Sequence, residues 1–425
     1  MKKLEKIKLG IIGMGYVGLP LAIEFGKVRD VIGFDKNEKR IKALDKHQDE
    51  TLEVSADDFI EATGLKFSYN VKDIENCNFY VVCVPTPITD EKKPDLNPIL
   101  DATKLIANVL KKGDTIVYES TVFPGVIEDH CCPIIEHITN FTLNDDFFLG
   151  YSPERINPGD KKNKIQSIIK ITSGSNDATS DLVDSLYKSI ISAGTYKATS
   201  IKVAEAAKVI ENIQRDVNIA LINELSIIFN KLDIDTEEVL KAAETKWNFI
   251  PFRPGLVGGH CIGVDPYYLS FKSEEIGYTP QIINTGRKLN DSMPQYVCSL
   301  LFECMDKKRI DLSDSKILIM GYTFKENCPD TRNTKIKDIV EILSTSKINV
   351  DIFDPWISER SSIENVNLNF IKDPKKGYYD ALIIAVAHNQ FISIKPEDFL
   401  SFCKTDRVIV DLKHVIPKEY SDIRL

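Results

Sequence analysis

Histidine is scarce in this 425-residue chain: there are six, without HExxH-like spacing, so no metal centre built on imidazole ligands is expected. Long apolar runs are missing as well. No uninterrupted hydrophobic stretch reaches the roughly 18 residues needed to cross a bilayer, so membrane insertion is not expected. Positive charge is not in excess either, since 54 Lys and Arg stand against 63 Asp and Glu, giving a formal net charge of −9. That balance argues against a nucleic acid or an anionic membrane as the main partner. Zinc-like CxxC pairs are absent, and the nine cysteines, an odd number scattered along the chain, fit a reducing cytoplasm better than a disulfide framework. The adjacent Cys131 and Cys132 read as packing residues. The opening MKKLEKIKLGIIGMG has an apolar part too short and too broken by glycine for a secretory signal, and it reads as a first strand.

With 43% hydrophobic residues the chain has ample material for packed cores, and its length predicts two or three domains. Ile7 to Ile12 reads as an apolar strand, Leu19 to Phe25 as a helix, and Val31 to Phe34 as a second strand ending at Asp35. Further apolar runs start at Phe79, Thr115 and Phe147, separated by helical or polar stretches. Strands this apolar, alternating with helices, predict a parallel sheet covered on both faces. From Ser200 the apolar residues Val203, Ala206, Ala207, Ile210, Ile213 and Val217 follow helical spacing, which predicts a helix of about 30 residues bridging domains or subunits. A second strand–helix alternation begins at Lys316 and continues through Val350, Ala381 and Val408. The fold expected is α/β, with two Rossmann-like doubly wound sheets joined by a central all-helical domain that includes a long connecting helix.

Two motifs carry the chemistry. Gly13-Met14-Gly15-Tyr16-Val17-Gly18 lies between the first strand and its helix, where glycines permit a tight turn and close approach of a pyrophosphate to a helix N-terminus. Asp35, about 20 residues on, is the acceptor expected for a ribose 2′-hydroxyl and favours NAD over NADP. The second motif is Gly258-Gly259-His260-Cys261, with Asp265 four positions on. A nicotinamide site takes an alcohol to an aldehyde; going on to the acid is easier through a thiohemiacetal and thioester, so the pair suggests a four-electron alcohol oxidation. Asp265 is either a base for water or a cap of the following segment. His260 invites a Cys–His reading but ranks second to a structural role, because no orienting Asn or Asp is evident.

Other positions stay two-sided on pattern alone. Thr86 and Thr121 follow apolar strands and are either cofactor contacts or turn residues. Lys208 and Asn212, with Glu205 and Arg215 on the same helical stripe, are either a solvated face or donors to a developing oxyanion. Glu154 and Arg155 either meet a substrate or form a surface ion pair. Lys325 and Arg332 sit in a loop where a phosphate would bind.

Over nearly its whole length the chain resembles the UDP-glucose/GDP-mannose dehydrogenase superfamily. The resemblance is carried by the glycine motif with Leu19-Pro20, Glu119-Ser120-Thr121-Val122, Ser152-Pro153-Glu154-Arg155, Lys208 with Asn212, Gly258-Gly259-His260-Cys261 with Asp265, and Lys325 with Asp330-Thr331-Arg332. It implies an NAD-binding domain at 1–199, a helical dimerisation domain with the nucleophile at 200–305, and a UDP-sugar-binding domain at 306–425. By resemblance Cys261 captures the C6 aldehyde, Lys208 and Asn212 hold the oxyanion, and Asp265, Thr121 and Glu154 position or activate water. The implied cofactor set is Gly13, Gly15, Tyr16, Val17, Gly18, Asp35, Arg40, Thr86, Thr121 and Arg332. Arg155, Arg215, Arg253, Gly258 and Lys325 join Glu154, Lys208 and Asn212 towards the substrate. The UDP-glucose branch carries a second glutamate where this chain has Pro158, a departure from that branch's acid–base scheme. The run Phe252 to Leu269 is similar to the branch acting on UDP-N-acetylhexosamines, which implies UDP-N-acetylglucosamine or UDP-N-acetylgalactosamine as substrate, a uronic acid for surface polysaccharide as product, and a cytoplasmic homodimer. UDP-glucose or UDP-N-acetylmannosamine is the alternative substrate, and a non-catalytic nucleotide-sugar sensor is the alternative function.

Overall fold

The computed structural model describes residues 4–156, 164–357 and 368–425; Pro158 lies outside them. The chain divides into two compact units, one of Met1–Glu211 with Tyr267–Thr279, the other of Asn212–Pro266 with Pro280–Leu425. Among the described residues no helix is long and apolar enough to cross a membrane.

The first unit holds an eight-stranded sheet. Its strands are β1 (Leu9–Ile12), β2 (Val31–Phe34), β3 (Leu65–Ser68), β4 (Phe79–Val82), β5 (Asp114–Tyr118), β6 (Phe147–Tyr151), β7 (Lys170–Gly174) and β8 (Thr195–Lys197), in the order β3-β2-β1-β4-β5-β6-β7-β8. Every residue of β1, β4 and β5 is buried, as expected of strands covered on both faces. The strand order reverses between β1 and β4, which makes the carboxyl ends of those strands the place for a ligand. One pair departs from the parallel expectation: β7 runs antiparallel to β6, with Tyr151 opposite Ser173.

The second unit holds a six-stranded parallel sheet of β9 (Lys316–Met320), β10 (Asn349–Phe353), β11 (Asn369–Phe370), β12 (Tyr379–Ile384), β13 (Cys403–Asp411) and β14 (Ile423–Arg424), in the order β11-β10-β9-β12-β13-β14. Its first turn repeats that of the other sheet. Gly13 N–H donates to Phe34 O at 2.7 Å and Met14 N–H to Asp35 Oδ2 at 2.8 Å, while Gly321 N–H donates to Phe353 O at 2.9 Å and Tyr322 N–H to Asp354 Oδ2 at 2.7 Å. Both glycines have φ near +95°, a region that any side chain would strain.

The long helix runs from Ile201 to Lys231. Its faces reverse the simple amphipathic reading: Glu205, Lys208, Asn212, Asp216 and Asn223 are buried, whereas Val203, Ile210, Leu221 and Ile228 are 47%, 54%, 52% and 44% exposed. The solvated-face reading of the polar stripe is therefore overturned for Lys208, Asn212 and Glu205, while Arg215 is exposed. The buried groups are tolerated because they have partners. Glu205 accepts from the Gly125 and Ile127 amides at 2.6 and 3.1 Å. Asp216 accepts from Arg287 at 2.5 Å and from Asn290 at 2.8 Å. Asn223 bonds both the amide and the carbonyl of Gly255, at 2.8 and 3.0 Å.

Burial pushes the Glu205 carboxyl up to about 8, against the pull of its two amide donors. The folded state thus holds a proton that the unfolded chain releases near its ordinary carboxyl value of 4.5. The stability this contributes is complete below that value and is lost as pH rises through about 8. Thermal unfolding followed between pH 5 and 8 should show melting falling with pH, and Glu205→Gln should flatten that dependence.

Candidate active site

The glycine turn between β1 and the helix Gly18–Gly26 is built to admit a phosphate. A Cβ on Gly13 would lie 2.9 Å from the Cys83 carbonyl, and one on Gly18 would lie 1.8 Å from the Gly13 carbonyl, so neither position accepts a side chain. Gly15 faces open space, and Tyr16 and Val17 complete the turn, both half-buried. Asp35 at the end of β2 spends one lone pair of each carboxylate oxygen on Met14 and Asn37 N–H, both at 2.8 Å, and keeps others for a ribose diol. Arg40 braces the same turn, Nε donating to Met14 O at 2.9 Å and Nη2 to Asp49 at 2.7 Å, while its buried Nη1 has no hydrogen-bond partner. An open glycine cradle, an acceptor pair and a spare guanidinium donor fit a dinucleotide.

The loops after β4, β5 and β6 leave the same edge of the sheet. Thr86 and Thr121 are half-buried on the first two, which are joined by a bond from Ser120 Oγ to Val84 O at 2.6 Å. Glu154, buried after β6, accepts at Oε1 from the amides of Arg155 and Ile156. Among the described residues its buried Oε2 has no hydrogen-bond partner, and the Lys170 ammonium stands 3.6 Å away. Arg155 turns aside to Glu211 at 2.8 Å and to Ile169 O at 2.6 Å. Lys208 is buried on the long helix in this unit.

Cys261 belongs to the second unit, in a turn closed by Val264 and Asp265 N–H donating to its carbonyl at 3.1 and 2.9 Å. Helix Asp265–Glu275 starts directly afterwards, and Pro266 causes no break because it stands in the helix's first turn. Asn212 Nδ2 donates to Asp265 Oδ2 at 2.6 Å, joining two of the expected catalytic residues inside the buried interior and leaving the amide a second N–H. Gly258 and Gly259 do more than clear an approach to the thiol. At Gly259, with φ +81°, a Cβ would lie 2.7 Å from the Phe324 ring, and at Gly258 one would lie 2.6 Å from Asn333 O. Backbone contact therefore docks the thiol's loop on the 324–333 loop, which bears Lys325 and Arg332. His260 meets that loop too, with Nδ1 3.5 Å from Asp330 and 3.3 Å from Arg332, so the sequence reading missed an aspartate 70 positions away. Arg253 is held by Glu237 and Glu244.

Family models match three successive stretches: the NAD binding domain of the UDP-glucose/GDP-mannose dehydrogenase family at residues 7–191, its central domain at 202–292 and its UDP binding domain at 318–418. The chain belongs to this family. A UDP-N-acetyl-D-glucosamine 6-dehydrogenase of Pseudomonas aeruginosa is 55% identical over 422 residues, covering 99% of this chain and all of that protein. Protein CapL of Staphylococcus aureus is 45% identical over 96% of both chains. The solved structure of a UDP-D-ManNAc dehydrogenase from Pyrococcus horikoshii superposes with a TM-score of 0.86 at 29% identity, over 97% of this chain and 96% of that one.

As a member of this dehydrogenase family the chain uses NAD, and the glycine cradle with Asp35 is the part of the first unit that suits it. One residue at the sheet edge had no sequence signal at all. Lys170 is a single lysine beside an isoleucine-rich run, and only the reversal of β7 carries it there. Because a Cβ at Gly259 is strained, Gly259→Ala should lower stability by about 1–3 kcal/mol in urea unfolding, with NAD affinity unchanged.

Proposed function

We propose that this chain oxidises the C6 alcohol of UDP-N-acetylglucosamine, or of its C4 epimer UDP-N-acetylgalactosamine, to the uronic acid, as a precursor of surface polysaccharide. The observation that carries this reading is the 55% identity, over essentially both full lengths, to a UDP-N-acetyl-D-glucosamine 6-dehydrogenase. Residues 1–199 then serve NAD, 200–305 carry the nucleophile and the dimer contact, and 306–425 serve the UDP moiety, a division that the three family matches support.

Bound NAD supplies a hydride acceptor. Loss of the hydroxyl proton and of a first hydride from C6 makes the aldehyde, the Cys261 thiolate adds to its carbonyl carbon, and loss of the second hydride leaves a thioester. Water then cleaves the carbon–sulfur bond, returning the thiolate, so that each sugar nucleotide consumes two NAD and one water. The Lys208 ammonium and the second N–H of Asn212 stabilise the oxygen that becomes negative at both additions. Asp265, fixed by Asn212 at 2.6 Å, orients or activates the water together with Thr121 and Glu154. Arg155 and Arg253 are already paired with carboxylates, so the sugar and phosphates take their remaining donors. Arg215, Gly258 and Lys325 complete the substrate side, and Thr86, Arg40 and Arg332 the cofactor side.

The dimer contact has a natural surface. Val203, Ile210, Leu221 and Ile228 follow one another at intervals of 7, 11 and 7 residues, which keeps them within about 20° of one line along the helix. Apolar side chains so aligned and so exposed suit a second copy of this chain. The enzyme works in the cytoplasm, where cysteines outside any disulfide and its sugar-nucleotide substrate belong.

Purified enzyme should form two NADH per sugar nucleotide, with kcat/KM for the two N-acetylhexosamine substrates exceeding that for UDP-glucose and UDP-N-acetylmannosamine by about ten-fold or more. Cys261→Ala should lose acid formation by about a thousand-fold or more. One NADH per substrate, or acid formed at the normal rate without the thiol, overturns the covalent route. Ile210→Glu should shift the mass in light scattering from dimer to monomer.

A further inference from the structure

β7 is the one strand of its sheet that runs against its neighbour β6, and its first residue is therefore delivered to the edge where β6 ends. Counting from Tyr151 opposite Ser173 sets Glu154 beside Lys170. The reversal is pinned by Ser152 Oγ donating to Ile171 O at 2.7 Å and by Arg155 donating to Ile169 O at 2.6 Å. Lys170 is 2% exposed, an uncommon place for a lysine. It stands 2.7 Å from Glu119 Oε2 and 3.6 Å from Glu154 Oε2. Glu119, after β5, also accepts from the Tyr187 hydroxyl, and the Tyr187 ring lies 5.4 Å from the ammonium. Among the described residues Cys83, after β4, also faces the cluster.

One buried cation thus serves two buried carboxylates, and they are not equivalent. Glu119 is satisfied on both oxygens, by Lys170 and by Tyr187. Among the described residues Glu154 is satisfied on Oε1 only, and Oε2 is buried without a hydrogen-bond partner. Burial works against the Lys170 ammonium, but the two carboxylates outweigh it and raise its pKa, so it stays charged. Burial pushes Glu119 up to about 7 in spite of its ion pair, which makes Glu119 the member that takes up a proton near neutrality.

We propose that Lys170, shared with Glu119, is a positioning residue that holds the Glu154 carboxylate in the place from which it handles the hydrolytic water. Lys170 acts on the reaction through Glu154, its ammonium 3.6 Å from that carboxylate. The share of its charge that reaches Glu154 is set by Glu119: a protonated Glu119 leaves the ammonium to Glu154, and an ionised one competes for it. This rests on the assignment of Glu154 to water handling made above.

The test is the pH dependence of kcat for acid formation in Glu154→Gln, Lys170→Met, Lys170→Arg and Glu119→Gln, with NAD affinity measured on each to confirm an intact first unit. Lys170→Met should cut kcat about ten-fold with KM little changed, and move the acidic limb up by about one pH unit. Glu119→Gln, which removes the charge that Glu119 gains only as pH rises through about 7, should leave that limb in place and flatten the profile through neutrality. Lys170→Arg should restore most of kcat. A limb moved by Lys170→Met together with a flattened profile in Glu119→Gln is a signature that a merely structural cluster would not give. A limb unmoved in Lys170→Met, or a profile through neutrality unchanged in Glu119→Gln, refutes the role of Lys170. Normal kcat in Glu154→Gln instead refutes the assignment of Glu154 on which it rests. Should Lys170→Met fail to fold, the profile of Glu119→Gln through neutrality decides alone.

Discussion

A buried polar side chain has to find a hydrogen-bond partner, and in this protein that requirement shapes the long helix and much of what is arranged around it. Glu205 cannot be buried without the amides of Gly125 and Ile127, so the segment after the Glu-Ser-Thr motif is tied to the helix. Asn223 cannot be buried without the backbone of Gly255, so the glycine-rich stretch leading to Cys261 is tied to it as well. Asp216 demands Arg287 and Asn290 from the helix Gln281–Lys307. Asn212 takes Asp265. Bonds of this kind contribute little each in net terms, yet removing one partner leaves an unpaired group and costs about 1–3 kcal/mol, which fixes position more firmly than apolar packing alone.

The same constraint explains what was legible in the sequence and what was not. Apolar strands such as Phe79–Val82 announce a sheet covered on both faces, and the glycine turn with Asp35 announces a dinucleotide, because both are local patterns. The polar stripe of Glu205, Lys208 and Asn212 announces a solvated face by the same logic, and here the logic fails. Periodicity records which residues share a face, and the partners that permit burial come from sequence positions as distant as Gly125 and Asp265. Lys170 was invisible for a related reason: its neighbours Glu119 and Glu154 are 51 and 16 positions away, and only strand reversal brings them together. The docking of Gly258 and Gly259 on the 324–333 loop belongs to this class too, since GG reads as freedom of approach until the opposing backbone is seen.

The two sheets start with one device used to different ends. Asp35 and Asp354 both accept from the amide that follows a left-handed glycine. Asp35 remains half-exposed with lone pairs to offer. Asp354 is enclosed by Tyr322, Thr323 and Trp356 amides and by His388 at 3.2 Å, and His388 in turn accepts at Nδ1 from Asn327 N–H at 2.9 Å. The acceptor that keeps lone pairs to offer in one module is a brace for the 321–332 loop in the other. Lys325 and Arg332 are carried on that braced loop.

The spacing of the exposed stripe on the long helix has a geometric corollary. A repeat of 7 residues drifts one way round a helix and a repeat of 11 drifts the other, so that sustained heptads wind helices into left-handed coils and sustained hendecads into right-handed ones. Val203 to Leu221 and Ile210 to Ile228 each combine one interval of either kind, 18 residues in all, which is five turns at 3.6 residues per turn. The drifts cancel. Two such helices laid side by side would touch along a straight seam, without the supercoil that would otherwise twist whatever is built at their ends.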